Sequence, residues 1–297
     1  MPELPEVETV RRGLERLVVG RTVAELTVLE PKCFRLAEGT SVNQHLLGAT
    51  VMSVSRRGKV LQLGLTGSHS LVGHLKMTGQ LVVVGPVADD ESLTRWGGGH
   101  PTDSLIDHLP DRSTRVVFQF DNGSRLFFND QRKFGWLLLM PTSQVGQIEL
   151  LAKMGPEPLE GEPWPEFLSR VRRHQATSIK AALLNQTVVA GIGNIYADEA
   201  CWAARVHPAT KVGRLNDRQL RALLGGATEA MRAALAVGGS TDRTYVNAEG
   251  KRGAYLDFAK VFRKDGQPCP RCGATIIKLK VAGRGTHLCP RCQRLAA

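Results

Sequence analysis

No stretch of this chain approaches the ~20 consecutive apolar residues that a membrane-spanning helix needs, so no membrane partner is expected. The start of the chain lacks the basic, apolar and small-residue order of a secretory signal, and Glu3, Glu6 and Glu8 run against one. A cytoplasmic protein is therefore expected. Neither the lysine nor the glycine spacing of a Walker loop or a dinucleotide fingerprint occurs, and no organic cofactor is expected. Acidic residues are also scarce. Over 297 residues, 28 Asp and Glu face 39 Lys and Arg, for a formal charge of +11. The excess is concentrated near the end, where residues 243–297 hold twelve Lys or Arg against three acids. Such an imbalance favours a polyanionic partner.

Cysteine is sparse, with six in all. Cys33 and Cys201 are isolated and are expected to be ordinary semi-buried thiols. The other four form Cys269-Pro-Arg-Cys272 and Cys289-Pro-Arg-Cys292, two CxxC pairs separated by sixteen residues. Four thiolates at this spacing suit a tetrahedral zinc ion. A site with four cysteine ligands has no open coordination position, so the ion is expected to be structural, holding a finger too small for a core of its own. Residues 276–281 and 286–288 read as its two strands and Ala282-Gly283-Arg284-Gly285 as the turn. Arg284 is then presented to a phosphate.

A chain of this length suggests two domains. Val7, Val10, Leu14 and Leu17 recur at three- and four-residue steps, which predicts an amphipathic helix from about Pro5 to Val18. Short alternating runs follow at 22–29, 50–56, 60–65, 70–74, 80–84, 115–120, 125–129 and 136–140. Their turn-separated spacing predicts an antiparallel sandwich or barrel. Val87–Ser113 reads as a long surface insertion and Gly155–Pro163 as a linker. The pattern then turns helical at 164–173, 179–184, 193–204, 216–224 and 227–237, with Asn216 as an N-cap. The expected fold is α+β, with a β-rich half, a helical half and a metal finger.

Two segments carry chemistry. Removal of Met1 would leave Pro2 as a terminal secondary amine beside the carboxylate of Glu3. Such an amine can attack an aldehyde-level carbon and form an iminium ion. It also titrates near pH ~8, far below lysine. Pro2 and Pro5 equally suit a helix start, and the two residues alone leave both readings open. Gly191-Ile-Gly193 precedes a helix start, where free backbone N–H groups make an anion site or simply a packing turn.

Together these residues resemble the formamidopyrimidine-DNA glycosylase family, bacterial base-excision enzymes for oxidised purines. The resemblance rests on Pro2-Glu-Leu-Pro-Glu-Val-Glu8, Arg56-Arg-Gly-Lys59, His74-Leu-Lys-Met-Thr-Gly79 and Asp130-Gln-Arg-Lys-Phe-Gly135. Gly155-Pro-Glu-Pro158, Gly191-Ile-Gly-Asn-Ile-Tyr-Ala-Asp-Glu199 and the cysteine finger complete it. These motifs run in order over nearly the whole chain. The related endonuclease VIII group typically begins Pro-Glu-Gly-Pro-Glu, so Leu4 favours the purine-lesion branch.

The resemblance implies an N-terminal β-sandwich with a long N-terminal helix over 1–142 and a linker over 143–163. It implies a helix–two-turn–helix domain with a lesion loop over 164–258 and a C-terminal zinc finger with one structural zinc over 259–297. It implies a monomer in which duplex DNA with an oxidised purine or abasic site lies in a basic cleft and the damaged nucleotide is flipped out. The implied enzyme is bifunctional, a glycosylase and abasic-site lyase acting on 8-oxoguanine and formamidopyrimidines through a Schiff base on Pro2.

Glu3 then shuttles protons, and Lys59 and Arg284 lie near the chemistry and the lesion phosphates. His74, Asn194 and Lys264 fall to phosphate contacts, while Met77, Arg132 and Phe134 fill the gap left by the flipped base. Glu6 and Glu199 are supporting acids. The chain departs from the family pattern at Asn185-Gln186, where Asp-Gln is common, and at Val261-Phe262-Arg263-Lys264, where Val-Tyr-Gly-Arg is usual. Phe262 lacks the tyrosine hydroxyl, which leaves Arg263 or Lys264 to take over its phosphate contact. The segment Asp242–Tyr255 covers the family's lesion loop and is less typical.

Overall fold

The structure, a computed structural model, describes residues 2–85, the backbone of 95–99, and residues 109–239 and 255–295. Met1, most of the expected insertion and nearly all of the segment 242–255 lie outside the described residues. The fold has both helices and sheets, as the sequence pattern predicts. Two compact units are present.

The first unit is built on Pro2 and Glu6–Ala152. Helix α1 (Leu4–Val18) leads into β1 (Val23–Val28), β2 (Phe34–Leu36), the single-turn α2 (Val42–His45), β3 (Val51–Arg57), β4 (Val60–Leu65), β5 (His69–His74) and β6 (Gly79–Val84). β7 (Arg95–Gly99), β8 (Thr114–Phe120), β9 (Arg125–Asp130), β10 (Trp136–Pro141) and the short α3 (Glu149–Ala152) follow. The strands form two five-stranded sheets, ordered β1-β8-β9-β6-β7 and β2-β10-β5-β4-β3. Every pairing is antiparallel except β2 with β10. The alternation of side chains along a strand puts one face of each sheet inward. Leu61, Leu63 and Leu137 from one sheet meet Phe118, Leu126 and Phe128 from the other in a common core, which Val7, Val10, Leu14 and Val18 of α1 join. Val7, Val10 and Leu14 of the periodic set are thus buried, while Leu17 is only half-buried and Val18 takes the core position beside it.

Two strands escaped the sequence reading. β2 has three residues, too few for alternation to register, and β7 is the Arg-Trp-Gly-Gly-Gly run inside the expected insertion, whose backbone pairs with β6 despite its glycines.

The second unit is built on Glu3–Pro5, Lys153–Val237 and the described part of Ala254–Ala297. It contains α4 (Trp164–Val171), α5 (Ile179–Leu184), α6 (Asn194–Ala203), α7 (Asp217–Ala236), α8 (Tyr255–Phe258), β11 (Ile277–Val281) and β12 (Arg284–Leu288). Asn216 caps α7 in a full capping box with Gln219. The two helices expected over 216–237 are one helix. Gly225-Gly226 does not break it, because a Cβ on Gly226 would fall 2.7 Å from the Ala203 Cβ and 3.4 Å from the Ala200 backbone. The glycine is there for close approach of α7 to α6, and that packing outweighs its poor helix propensity of about 1 kcal/mol.

The stretch expected to be a linker is not a loose tether. Gly155, Pro156, Glu157 and Pro158 are buried, and Gly155 N and Ala190 N bond to Gln186 O and Pro156 O at 2.9 Å each. No helix among the described residues is long and apolar enough to cross a membrane.

Candidate active site

In the first unit, the β9–β10 connection forms a platform around one carboxylate. Asp130 is fully buried at the end of β9. Its Oδ1 accepts from the Thr78 hydroxyl and from Arg132 N at 3.1 Å, and its Oδ2 accepts from Gly135 N at 2.6 Å. A Cβ on Gly135 would lie 2.8 Å from the Phe128 ring and 3.0 Å from Asp130 Oδ2, so only glycine fits that contact. With its backbone pinned below, the loop leaves its side chains outside. Phe134 is 53% and Met77 42% exposed. The Arg132 guanidinium lies over the Phe134 ring, 4.8 Å from its centroid, and its Nη1 donates to Met77 Sδ at 3.0 Å. The structure therefore brings the three expected gap-filling residues into one cluster from two separate motifs.

His74 ends β5 and Lys59 sits in the β3–β4 turn beside Gly58, whose φ is +55°. Both are buried, at 7% and 4% exposure. Burial, helped by the charges of Lys76 and Lys59, pushes the His74 imidazole down to about 3. The ring is neutral at physiological pH, and its Nδ1 accepts from Lys76 N at 2.9 Å. The remaining proton is thus on Nε2, a neutral donor. Pro2 is buried, as is Glu6 in the first turn of α1.

In the second unit, three buried acids gather distant segments. The Glu3 carboxylate accepts from Gly193 N at 2.7 Å, Ile195 N at 2.9 Å and Tyr196 N at 3.5 Å, the free amides that open α6. A Cβ on Gly193 would fall 2.2 Å from the Glu3 carboxyl carbon, and one on Gly191, at φ +86°, would run into Leu4. The Gly191-Ile-Gly193 loop is therefore an anion site, and its anion is the protein's own Glu3.

Glu199 accepts from Lys260, Val261 and Phe262 N at 2.8–2.9 Å. Burial raises its pKa, outweighing those three hydrogen bonds. Asp198, fully buried, pairs with Lys180 Nζ at 2.6 Å and accepts from His287 N at 2.8 Å. Lys180 Nζ also donates to Gly285 O at 3.0 Å and Thr286 Oγ1 at 2.8 Å. Asn194 Nδ2 donates to that same Gly285 carbonyl at 3.0 Å.

The hairpin so held differs from its expected form. Ala282 and Gly283, at φ +47° and +77°, make a two-residue turn, and Arg284 pairs with Val281 instead of standing at the tip. Two left-handed residues match the strand twist better than a four-residue loop would. Arg284 remains exposed. Phe262 is buried with its ring 5.0 Å from that of His287, Lys264 is half-buried and Arg263 is exposed.

The Sγ atoms of Cys269, Cys272, Cys289 and Cys292 all lie within 4.8 Å of one another, and none is in a disulfide. Tetrahedral zinc–thiolate bonds of ~2.3 Å separate sulfurs by about 3.8 Å. The cluster fits one structural zinc ion. Cys33 and Cys201 are fully buried, more so than the sequence suggested.

Residues 1–137 match the family model for the formamidopyrimidine-DNA glycosylase N-terminal domain, and 154–246 match that for the formamidopyrimidine-DNA glycosylase H2TH domain. Residues 266–295 match a zinc finger found in FPG and IleRS. The formamidopyrimidine-DNA glycosylase of Streptococcus pyogenes is 41% identical over 295 residues, covering 99% of both chains.

The chain belongs to the formamidopyrimidine-DNA glycosylase family.

A Symbiobacterium thermophilum protein of that name is 42% identical over 293 residues, 99% of this chain and 89% of its own. Among solved structures, a Lactococcus lactis FPG mutant in complex with Fapy-dG-containing DNA aligns with TM-score 0.82 at 35% identity, over 99% of this chain and 100% of that one. A complex of Lactococcus lactis Fpg with abasic-site DNA aligns with TM-score 0.81 at 35% identity, over 98% and 99%.

The family motifs contain residues whose work the sequence did not reveal. Asp130 opens one quoted motif and Asp198 sits inside another, yet neither was singled out. Lys180 has no motif at all; a lysine in an otherwise apolar Ile179-Lys-Ala-Ala-Leu-Leu184 helix was its only signal.

Proposed function

We propose that this protein is a base-excision DNA glycosylase with an abasic-site lyase activity, which removes oxidised purines such as 8-oxoguanine and formamidopyrimidines from duplex DNA. The Pro2 nitrogen, freed by removal of Met1, attacks C1′ of the flipped nucleotide. The C1′–N bond breaks and the base leaves with a proton. The C1′–O4′ bond then opens, O4′ takes up a proton and an iminium ion remains on Pro2. The iminium acidifies the C2′ proton, whose loss expels the 3′ phosphate oxygen. Loss of the C4′ proton expels the 5′ oxygen, and water releases the sugar fragment from Pro2.

The observation that carries this reading is the clamp on Glu3. Its carboxylate is fixed by backbone amides 190 to 193 positions away in sequence. That clamp immobilises the residue bonded to Pro2 and supports Glu3 as the group that moves protons at the sugar. The tautomer of His74 suits it to donate Nε2–H to a phosphate, beside the charge of Lys59. Asn194 has a second N–H for the same purpose. Arg284 and Lys264 supply charge to the backbone, and Met77, Arg132 and Phe134 occupy the vacated base stack, with the guanidinium toward the orphaned base. Glu6 and Glu199 support the N-terminal helix and the segment at 260–262. The boundaries 1–142, 143–163, 164–258 and 259–297 are proposed as the functional divisions, with a monomer as the working form.

Cleavage of duplexes carrying 8-oxoguanine or thymine glycol, side by side, tests the substrate class. Faster cleavage of the 8-oxoguanine duplex is expected, and a preference for thymine glycol would reject the purine reading.

A further inference from the structure

Trp202, in the last turn of α6, is half-buried and reaches the zinc finger. Its Nε1–H donates to Cys269 Sγ at 3.4 Å. The Arg271 guanidinium lies on the indole face, 3.9 Å from the ring centroid, and its Nη1 donates to Trp202 O at 2.9 Å. Trp202 also packs with Val261, Ile276 and Cys289 in the small core of the finger. The indole is therefore held from its face, its backbone and its edge, with its single donor aimed at a sulfur.

A neutral thiol is a weak acceptor, whereas a thiolate makes a charge-assisted bond. The N–H direction thus suits a cysteine in its metal-bound form. Among the described residues, Cys269 is the one member of the four whose Sγ accepts from a side chain outside the cluster. A ligand leaves zinc when its sulfur swings away, and a donor fixed on a helix opposes that by locking the rotamer.

We propose that Trp202 is a positioning residue for the zinc site, holding Cys269 Sγ toward the ion so that helix α6 controls how fast the finger loses its metal. Arg271, one position before Cys272, holds the indole in place by cation–π stacking.

The test uses the full chain loaded with zinc, without DNA. Zinc release to excess chromophoric chelator is measured for wild type, for Trp202→Phe, and for protein with benzothienylalanine at position 202. The last keeps the bicyclic shape but has sulfur in place of N–H, so it remains informative if the phenylalanine variant misfolds. Release ~10–100-fold faster is expected in both, the range typical for loss of an outer hydrogen bond to a metal ligand. Substitution of cobalt(II) gives a second readout. The thiolate-to-cobalt charge-transfer band should move to longer wavelength when the N–H is removed, a shift that loss of packing alone does not require. Release within twofold of wild type and an unmoved band in the benzothienylalanine protein would overturn the proposal.

Discussion

The Asp130 platform and the acid cluster of the second unit use buried carboxylates to opposite ends. Asp130 binds a hydroxyl and two backbone amides within six residues of itself or in the facing Thr78 loop, and it leaves Met77, Arg132 and Phe134 outside. Its work is local, and its product is an exposed surface. Glu3, Asp198 and Glu199 reach segments 61 to 193 positions away. They join pieces that share little core of their own, such as the finger, and one of them needs a fully buried cation. Neutral donors suffice to shape a loop. Holding a hairpin to a helix here takes an ion pair, whose loss strands a charge.

That contrast ranks the expected effects of substitution. Lys180→Met should be the most damaging, because Asp198 is left buried without its counter-charge. A loss of about 3–5 kcal/mol in denaturant unfolding is expected, and a change below about 1 kcal/mol would mean that the pair is not what holds the hairpin. His74→Gln sharpens the comparison from the first unit, where the titrating group is an imidazole. Its folded pKa lies below that of the unfolded chain, so only the unfolded state takes up a proton as pH falls from about 6.5 towards 3. Wild type should lose about 2–3 kcal/mol between pH 7 and 4.5 on this account. Thermal melts of the variant should show a correspondingly flatter acid limb, and an unchanged limb would show His74 to be charged or solvated. The smallest effects fall on the platform. Asp130→Asn should cost about 1–3 kcal/mol, since an amide N–H meets donors it cannot accept from. Phe134→Ala, exposed above it, should cost under about 0.5 kcal/mol. Equal losses for these two would erase the distinction between clamp and surface.

Much of this was legible from sequence because it is local. The stripe Val7, Val10, Leu14 on α1, the alternation in β4 and β8, the Asn216 cap and the two CxxC pairs each lie within a short window. What was not legible depends on partners far along the chain. Gly225-Gly226 looks like a helix break until Ala203 is seen against it, and Ala282-Gly283 looks like half of a longer turn until the register is known. Lys180 and Asp198 are eighteen positions apart and meet Gly285 and His287 from the far end of the chain. The chemistry of Pro2 and Glu3 is written in adjacent letters, but the clamp that fixes Glu3 is not.

The most direct measurement is borohydride reduction of the protein bound to an 8-oxoguanine duplex, followed by peptide mapping of the adduct by mass spectrometry. The sugar fragment should be found on the nitrogen of an N-terminal peptide that begins at Pro2 and lacks Met1, and Pro2→Gly should trap far less while still binding the duplex. An adduct on a lysine, or no adduct on a protein that cleaves the lesion strand, would contradict the assignment of Pro2 as the nucleophile.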